Sequence, residues 1–120
     1  MPARNDDLRD RLPRYRQITI TVTGRMSGRA ISNPVRFVLD GDKVYLLPVQ
    51  GSDTQWYRNV LKNPLIRINA RGTEAEVHAF PVTDATRVES VVEKFRDKYG
   101  AGDVKKYYSK FDVAVVAQIP

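Results

Sequence analysis

The stretch from Gln17 to Val49, QITITVTGRMSGRAISNPVRFVLDGDKVYLLPV, contains three strand-like segments and two turns. Apolar and polar residues alternate in Arg16–Thr23 and again in Ser32–Leu39, which predicts two strands with one buried face each. The third segment, Val44–Val49, is apolar on both faces and predicts a strand inside the sheet. Asp40-Gly41 joins the last two strands as a hairpin, because both residues tolerate a positive φ. This stretch therefore predicts a fold rich in β-structure.

Beyond the third strand, the sequence predicts a short helix. Ser52 to Gln55 has the form of a capping box, in which Gln55 reaches back to a free backbone amide. The residues that follow place four apolar side chains on one side of the helix: Trp56, Tyr57, Val60 and Leu61. The helix ends at Asn63-Pro64, because the residue before a proline disfavours helical geometry.

A second hairpin and a longer helix complete the pattern. Residues 66–70 and 74–79 alternate around an Arg71-Gly72 turn, which predicts two strands with one buried face. Thr83 or Asp84 begins a helix whose apolar residues follow helical spacing, and Gly100 ends it. A short turn within residues 103–111 leads to a last strand within residues 112–119.

These elements amount to six strands and two or three short helices. Short strands joined mostly by hairpins, with one helix inserted in the middle of the chain, predict a mainly β fold. The expected architecture is a small antiparallel barrel with helices outside. We expect one domain over residues 1–120, in which residues 1–15 form an arm or a short helix over Asp6–Leu12 that Pro13 stops.

Composition narrows the classes of function. The chain has 20 basic and 14 acidic residues and a net charge of +6, which fits either an anionic partner or a well-solvated surface. Cysteine is absent, so disulfides and thiolate metal sites are excluded. We expect no transmembrane segment and no secretory signal, and hence a cytoplasmic location. The only histidine, His78, has no clear partners, so no metal site is expected.

The corner between the first two strands, Gly24–Arg29, is the strongest candidate for a binding site. Gly24 and Gly28 permit turn conformations and close approach of the backbone, whose successive N–H groups can bind an anion. Ser27 adds a hydroxyl donor, and Arg25 adds a forked guanidinium group suited to phosphate oxygens. The residues alone fit an ordinary hairpin loop with solvated arginines equally well.

Two motifs in this order, GRMSGR at residues 24–29 and WYRNVLKNP at residues 56–64, resemble those of the deazaflavin-dependent nitroreductase family. The resemblance covers Thr21–Gly72 and the closing DVAVVAQIP. It implies a split β-barrel, related to the flavin-binding pyridoxamine-phosphate-oxidase group. It further implies an oxidoreductase, similar to nitroreductases and quinone reductases, that transfers hydride from reduced coenzyme F-420 to a small organic substrate.

The same resemblance implies which residues hold the coenzyme. The corner would bind the phosphate tail, and the ring would lie after Asn33-Pro34 and near the end of the third strand. The cofactor-binding residues so implied are Gly24, Arg25, Met26, Ser27, Gly28, Arg29, Asn33, Pro34, Val35, Val49, Gln50 and Trp56. Tyr107 and Tyr108 lie where the family has a substrate-side tyrosine that could donate a proton. The alternative for this pair is a structural role at the rim of the barrel.

Three positions depart from the family pattern. Met26 stands where lysine is usual, Ile31 where arginine is usual, and Gln50 where lysine is common. Each charge-assisted hydrogen bond contributes about 1.5–3 kcal/mol, so fewer cations weaken the hold on an anionic tail. Flavin mononucleotide (FMN), with its smaller phosphate group, is therefore an alternative cofactor. The alternative function is a non-catalytic split barrel that binds an anionic ligand such as haem or a lipid.

The expected partners are the cofactor, a small-molecule substrate and a second copy of the chain. The homodimer is implied by the resemblance, because related flavin barrels place the cofactor at a dimer interface. Nucleic-acid binding is not expected, because the aromatic residues are internal by periodicity, whereas single-strand binding needs exposed aromatic faces on which bases stack.

Overall fold

A computed structural model describes residue 8 and residues 10–119 of the chain. Seven strands form one sheet: β1 (Ile18–Thr23), β2 (Ala30–Val35), β3 (Phe37–Asp40), β4 (Lys43–Leu46), β5 (Leu65–Ala70), β6 (Thr73–Val82) and β7 (Ala114–Gln118). The helices are α1 (Gln55–Lys62), α2 (Ala85–Tyr99) and α3 (Ala101–Tyr107), with 3-10 turns at Leu12–Arg14 and Gly51–Asp53. The helix expected over residues 6–12 lies partly outside the described residues.

The order of the strands in the sheet is β2-β1-β5-β6-β7-β4-β3, and all pairings are antiparallel. β2 and β3 therefore lie at opposite edges, yet only Arg36 separates them along the chain. Because each residue extends the chain by at most about 3.6 Å, the sheet must curl until its two edges meet at Arg36. This curled sheet with outer helices confirms the predicted mainly β, split-barrel fold.

The second predicted strand, Ser32–Leu39, is two strands in the structure. Its first half belongs to β2 and pairs with β1, whereas its second half belongs to β3 and pairs with β4. The change of partner at Arg36 interrupts the ladder and raises the strand count from the predicted six to seven. The side-chain alternation continues through the bend, so it could not reveal the interruption.

The two faces of the curled sheet have different coverings. The inner face forms the main core, with Ile20 of β1 and Ile68 of β5 fully buried as the alternation predicts. On the outer face, Val38, Tyr45 and Val116 form a row across β3, β4 and β7 and pack beneath α2. The covered half of the outer face is therefore the half that contains β3, β4 and β7.

The third predicted strand is confirmed inside the sheet, but it ends early. β4 lies between β3 and β7 and stops at Leu46 instead of Val49. Pro48 has no N–H to donate to a ladder, which is consistent with this early end. The chain then forms the Gly51–Asp53 turn and enters α1.

The predicted capping box at Ser52–Gln55 is wrong. α1 begins after Thr54, whose hydroxyl accepts a hydrogen bond from the backbone N–H of Gln50 (2.8 Å) and does not cap the helix. The Ser52 hydroxyl donates to Asp112 (2.6 Å), and the Gln55 side chain contacts the β1–β2 loop. Leu61, expected on the packed side of the helix, is exposed.

The predictions for the later helices agree better with the structure. Asp84 caps α2 by accepting a hydrogen bond from the backbone N–H of Arg87 (3.0 Å), and Gly100 ends the helix with φ 95°. The short turn expected after it is partly a third helix, α3, which buries Val104. No helix among the described residues could cross a bilayer, since the longest, α2, has only 15 residues.

The Tyr99 hydroxyl connects three segments where the sheet closes. It accepts a hydrogen bond from the backbone N–H of Phe37 (3.1 Å) and lies 2.7 Å from the carbonyl oxygen of the same residue. It also lies 2.8 Å from the carbonyl oxygen of Arg16, just before β1. Tyr99 thus fastens the end of α2 to the start of β3 and to the segment that enters β1.

We expect Tyr99→Phe to lower the free energy of unfolding by about 1–3 kcal/mol, because the buried N–H of Phe37 loses its acceptor. Urea unfolding measures the change. Tyr45→Phe is the matched control, since Tyr45 lies half-buried on β4 beside Lys94. There the expected change is within about 0.5 kcal/mol. Equal small changes in both variants would contradict the role given to the Tyr99 hydroxyl.

Candidate functional site

The β1–β2 loop, residues 24–29, is a tight turn closed by two backbone hydrogen bonds. Gly24 N–H donates to the carbonyl oxygen of Arg29 (2.8 Å), and Gly28 N–H donates to that of Gly24 (2.9 Å). A Cβ atom on Gly24 would lie 2.6 Å from the Ser27 hydroxyl oxygen, so a side chain at this position would require Ser27 to change its conformation. Gly28 has φ 72°, which a residue with a side chain adopts only at a cost.

Arg25 in this loop is held by two amide side chains of α1. The carbonyl oxygen of the Asn59 side chain accepts hydrogen bonds from the Arg25 backbone N–H (3.1 Å) and from Nη1 (2.8 Å). Gln55 Oε1 accepts from Nη2 (2.9 Å). Asn59 is only 5% exposed, so its geometry is fixed. Gln55 and Asn59 can act together because residues four apart lie on one face of a helix.

The charge of Arg25 is not neutralised by these contacts. Both partners are neutral amides, and no carboxylate in the described part of the chain forms an ion pair with it. These contacts use two of the five N–H donors of the guanidinium group. Arg25 is therefore a fixed cation with donors left for a ligand.

A pocket of about 360 Å³, here called the loop pocket, lies between this loop, β2 and α1. Six of the residues predicted to bind a cofactor line it: Gly24, Arg25, Met26, Ser27, Asn33 and Trp56. Ile31, Gln55 and Asn59 complete the lining. The loop pocket thus joins the two sequence motifs, which are about 30 residues apart along the chain.

The backbone of the loop offers fewer free donors than its glycines suggest. The N–H groups of Gly24, Arg25, Gly28 and Arg29 are used within the protein, the last by the Ser27 hydroxyl oxygen (3.2 Å). Among the described residues, Met26 and Ser27 are the positions in the turn whose N–H groups make no such bond. The predicted anion-binding corner is therefore reduced to two amides, the Ser27 hydroxyl and Arg25.

The two positions that lack the usual family cations line the same pocket. Met26 is 89% exposed, and Ile31 is exposed to a lesser degree. Together with Trp56, they form the apolar part of the pocket lining, whereas Arg25 forms the charged part. Arg29 lies at the end of the turn and not in the lining of the pocket.

The remaining predicted cofactor-binding residues lie apart from the loop pocket. Pro34 faces the outer side of the sheet, and Val35 is buried in the core. Val49 and Gln50 contact the segment after α3, through a hydrogen bond from Ser109 N–H to the carbonyl oxygen of Val49 (2.9 Å) and a bridge between Gln50 and Lys110.

The two candidate tyrosines have different surroundings. Tyr108 is buried, with its ring perpendicular to that of Phe95 (centroids 5.9 Å apart), and burial raises the pKa of its hydroxyl. Tyr107 is 40% exposed, and the guanidinium carbon of Arg36 lies 4.1 Å from its ring centroid. Arg36 is in turn paired with Asp103 (2.6 Å). Tyr107 is therefore the accessible member of the pair.

Sequence reasoning missed Gln55 and Asn59 as parts of the site. The sequence predicts that Gln55 belongs to a capping box and that Asn59 caps or braces the turn. Their spacing of four on a helix that also carries Trp56 was the available signal, since it places two amides on one face. The partner, Arg25, is more than 30 residues away, so the contact itself was not visible in the sequence.

Comparison with known proteins supports the fold. Three solved structures have the same fold at low identity. An F420-H2 dependent reductase is 18% identical, over 86% of this chain and 94% of that one, with a TM-score of 0.67. A protein solved as a domain-swapped dimer is 17% identical, over 94% and 98% of the two chains, with a TM-score of 0.69. The heme storage protein HutZ from Vibrio cholerae is 13% identical, over 96% and 88%, with a TM-score of 0.71.

These likenesses establish the fold, and the sequence itself establishes the family. Residues 3–119 match the family described as F420H(2)-dependent quinone reductase. The match spans nearly the whole chain, including the loop pocket, and it confirms the deazaflavin-dependent reductase family indicated by the two motifs. This protein belongs to the F420H(2)-dependent quinone reductase family and, at that level, to the oxidoreductases.

Proposed function

We propose that this protein binds the reduced deazaflavin coenzyme with its tail in the loop pocket and transfers hydride from it to a small organic substrate. Family membership supports the class of cofactor. The observation that carries the proposal is Arg25, a cation fixed beside the pocket by neutral amides of Gln55 and Asn59. Because its side chain is already ordered, binding an anion there costs less entropy than ordering a free arginine.

The phosphate of the coenzyme would lie against the turn of the β1–β2 loop. Arg25 offers guanidinium donors, Ser27 offers its hydroxyl and backbone N–H, and Met26 offers its backbone N–H. Gly24 and Gly28 maintain the turn, and Arg29 adds positive charge nearby. Charge-assisted hydrogen bonds of this kind contribute about 1.5–3 kcal/mol each, so two or three would supply about 3–9 kcal/mol, a large part of the roughly 8 kcal/mol that micromolar binding requires.

Of the residues that the resemblance implies for the ring (Asn33, Pro34, Val35, Val49 and Gln50), Asn33 lines the loop pocket, so the ring would lie toward Asn33. When bound, the coenzyme supplies the hydride, and the protein binds and orients it and controls access of solvent. On the substrate side, Tyr107 is the candidate for donating a hydrogen bond or proton, because it is exposed. Arg36 against its ring and Asp103 beside Arg36 would hold it in place. We assign Tyr108 to packing in the core.

The apolar side of the loop pocket favours a second candidate function. Met26 and Ile31 replace cations of the family pattern, which fits a shorter or less charged ligand than the usual coenzyme. FMN is the alternative cofactor on this account. A non-catalytic protein that binds haem or another anionic amphipathic ligand is the alternative function, and a heme storage protein has the same fold.

Fluorescence titration with the deazaflavin coenzyme and with FMN tests the proposal. We expect the deazaflavin to bind at micromolar concentration, and the reduced form to be oxidised when a small quinone is added. Binding of FMN without binding of the deazaflavin would make FMN the cofactor of the protein. Binding of neither, with haem bound instead, would establish the non-catalytic alternative and overturn the proposed activity.

The substitution Asn59→Asp tests whether binding needs the charge of Arg25 and not only its fixed position. Aspartate keeps oxygen acceptors for the Arg25 backbone and side chain but places a negative charge beside the guanidinium group. We expect the dissociation constant of the deazaflavin to rise about 10-fold or more, because a neutralised cation no longer attracts phosphate. Urea unfolding checks that the variant folds, because a carboxylate at this buried position is compatible with the fold only while Arg25 pairs with it.

Asn63→Asp is the matched control for this experiment. It makes the same change of charge one turn further along, at the end of α1 and outside the lining of the loop pocket. Its affinity for the deazaflavin should equal that of the wild type. If Asn63→Asp weakens binding as much as Asn59→Asp, net charge rather than Arg25 controls the affinity.

We also propose that the protein is a cytoplasmic homodimer. β2 pairs with β1 on one side only, and its residues 30–32 are exposed, which leaves an edge available to a second copy. A structural relative forms a domain-swapped dimer. Size-exclusion chromatography with light scattering should give twice the monomer mass of 13.7 kDa, and a monomer at all concentrations would remove this proposal.

A further inference from the structure

A second pocket lies on the outer face of the sheet, opposite the side that faces the loop pocket. Thr19 of β1 pairs with Pro34 of β2 on one side and with Asn69 of β5 on the other. These three residues line one row of the outer face, in the half that α2 does not cover. The row forms the floor of a pocket of about 560 Å³, here called the arginine pocket.

The walls of the arginine pocket are strongly basic. Arg14 and Arg16 contribute from the segment before β1, and Arg71 contributes from the β5–β6 turn. No acidic residue lines the pocket, and none of the three arginines forms an ion pair with a residue that the structure describes.

The acidic residue next to the floor of the pocket already has partners of its own. Glu74 lies next to Asn69 in the register, accepts a hydrogen bond from its side-chain nitrogen (2.8 Å), and lies 3.8 Å from Arg67. Glu74 therefore does not neutralise the three arginines of the pocket. A basic lining without a neutralising partner attracts an anion.

Arg71 is held in an uncommon conformation at the rim. Its φ of 55° lies in the left-handed region, which glycine, asparagine and aspartate adopt more readily in such a turn. Its guanidinium carbon lies 5.1 Å from the ring centroid of Tyr15, which also lines the pocket. The backbone conformation of this turn does not favour arginine. The contacts of the Arg71 side chain therefore explain better why arginine occupies the position.

The opposite wall is also anchored. The carbonyl oxygen of Arg16 lies 2.8 Å from the Tyr99 hydroxyl, which fixes the segment before β1 to the end of α2. Both walls of the arginine pocket thus have defined positions, one through Tyr99 and the other through the β5–β6 turn. Pockets of several hundred Å³ are the size at which small ligands are bound.

We propose that the arginine pocket is a binding site for a small phosphorylated ligand, a phosphate monoester or a pyrophosphate. Arginine forks match the oxygens of phosphate, and the Thr19 hydroxyl and Asn69 amide on the floor add neutral donors. The site is separate from the loop pocket, because Asn33 and Pro34, adjacent in β2, face opposite sides of the sheet. It does not depend on the proposed function.

Calorimetric titration with inorganic pyrophosphate tests this site in the full-length protein. We expect binding at submillimolar concentration to the wild type and an affinity about 10-fold or more lower in Arg71→Gln. Arg87→Gln is the matched control, since it removes one positive charge from the exposed first turn of α2. Its affinity should be unchanged. No heat of binding at millimolar pyrophosphate, or an equal loss in both variants, would overturn the proposal.

Backbone NMR with the same titration locates the ligand. Amide resonances of Thr19 and Asn69 should shift with added pyrophosphate, whether or not those of Met26 and Ser27 in the loop pocket shift as well. Shifts of Met26 and Ser27 without shifts of Thr19 and Asn69 would place the anion in the loop pocket alone and overturn a separate site. This readout does not require any variant to fold.

Discussion

Only Arg36 joins β2 to β3, although these strands form the two opposite edges of the sheet. This covalent constraint forces the sheet to curl, and the Tyr99 hydroxyl fastens the junction through hydrogen bonds to the backbone of Phe37 and Arg16. The curl places the inner face of β2 beside α1, and the loop pocket lies between them. The candidate site therefore depends on the closure of the sheet.

The electrostatics of the loop pocket depend on the choice of partners for Arg25. A carboxylate in place of Asn59 or Gln55 would hold the guanidinium group as firmly but would cancel its charge. Two amides supply acceptors and leave the charge intact, so the loop keeps a positive potential at the place proposed for the tail of the coenzyme. The apolar residues Met26 and Ile31 limit that potential to one side of the pocket.

Much of this fold could be predicted from local patterns, because strand alternation and turn residues act over few positions. The Arg71-Gly72 turn, the Asp84 cap and the Gly100 helix end are all as expected. The break at Arg36 could not be predicted, since it reflects a change of partner strands. The role of Gln55 was missed because its partner is distant along the chain, whereas a capping box is a local pattern. The family motifs predict a binding site at the loop, and only the structure shows that Gln55 and Asn59 orient Arg25 there.

A crystal structure of the protein with the deazaflavin coenzyme would show whether Arg25, fixed by α1, holds the anionic tail. We predict a phosphate oxygen within about 3 Å of the Arg25 guanidinium group, with the backbone amides of Met26 and Ser27 as further donors. A phosphate bound elsewhere, with Arg25 still engaged only by Gln55 and Asn59, would overturn this placement of the tail.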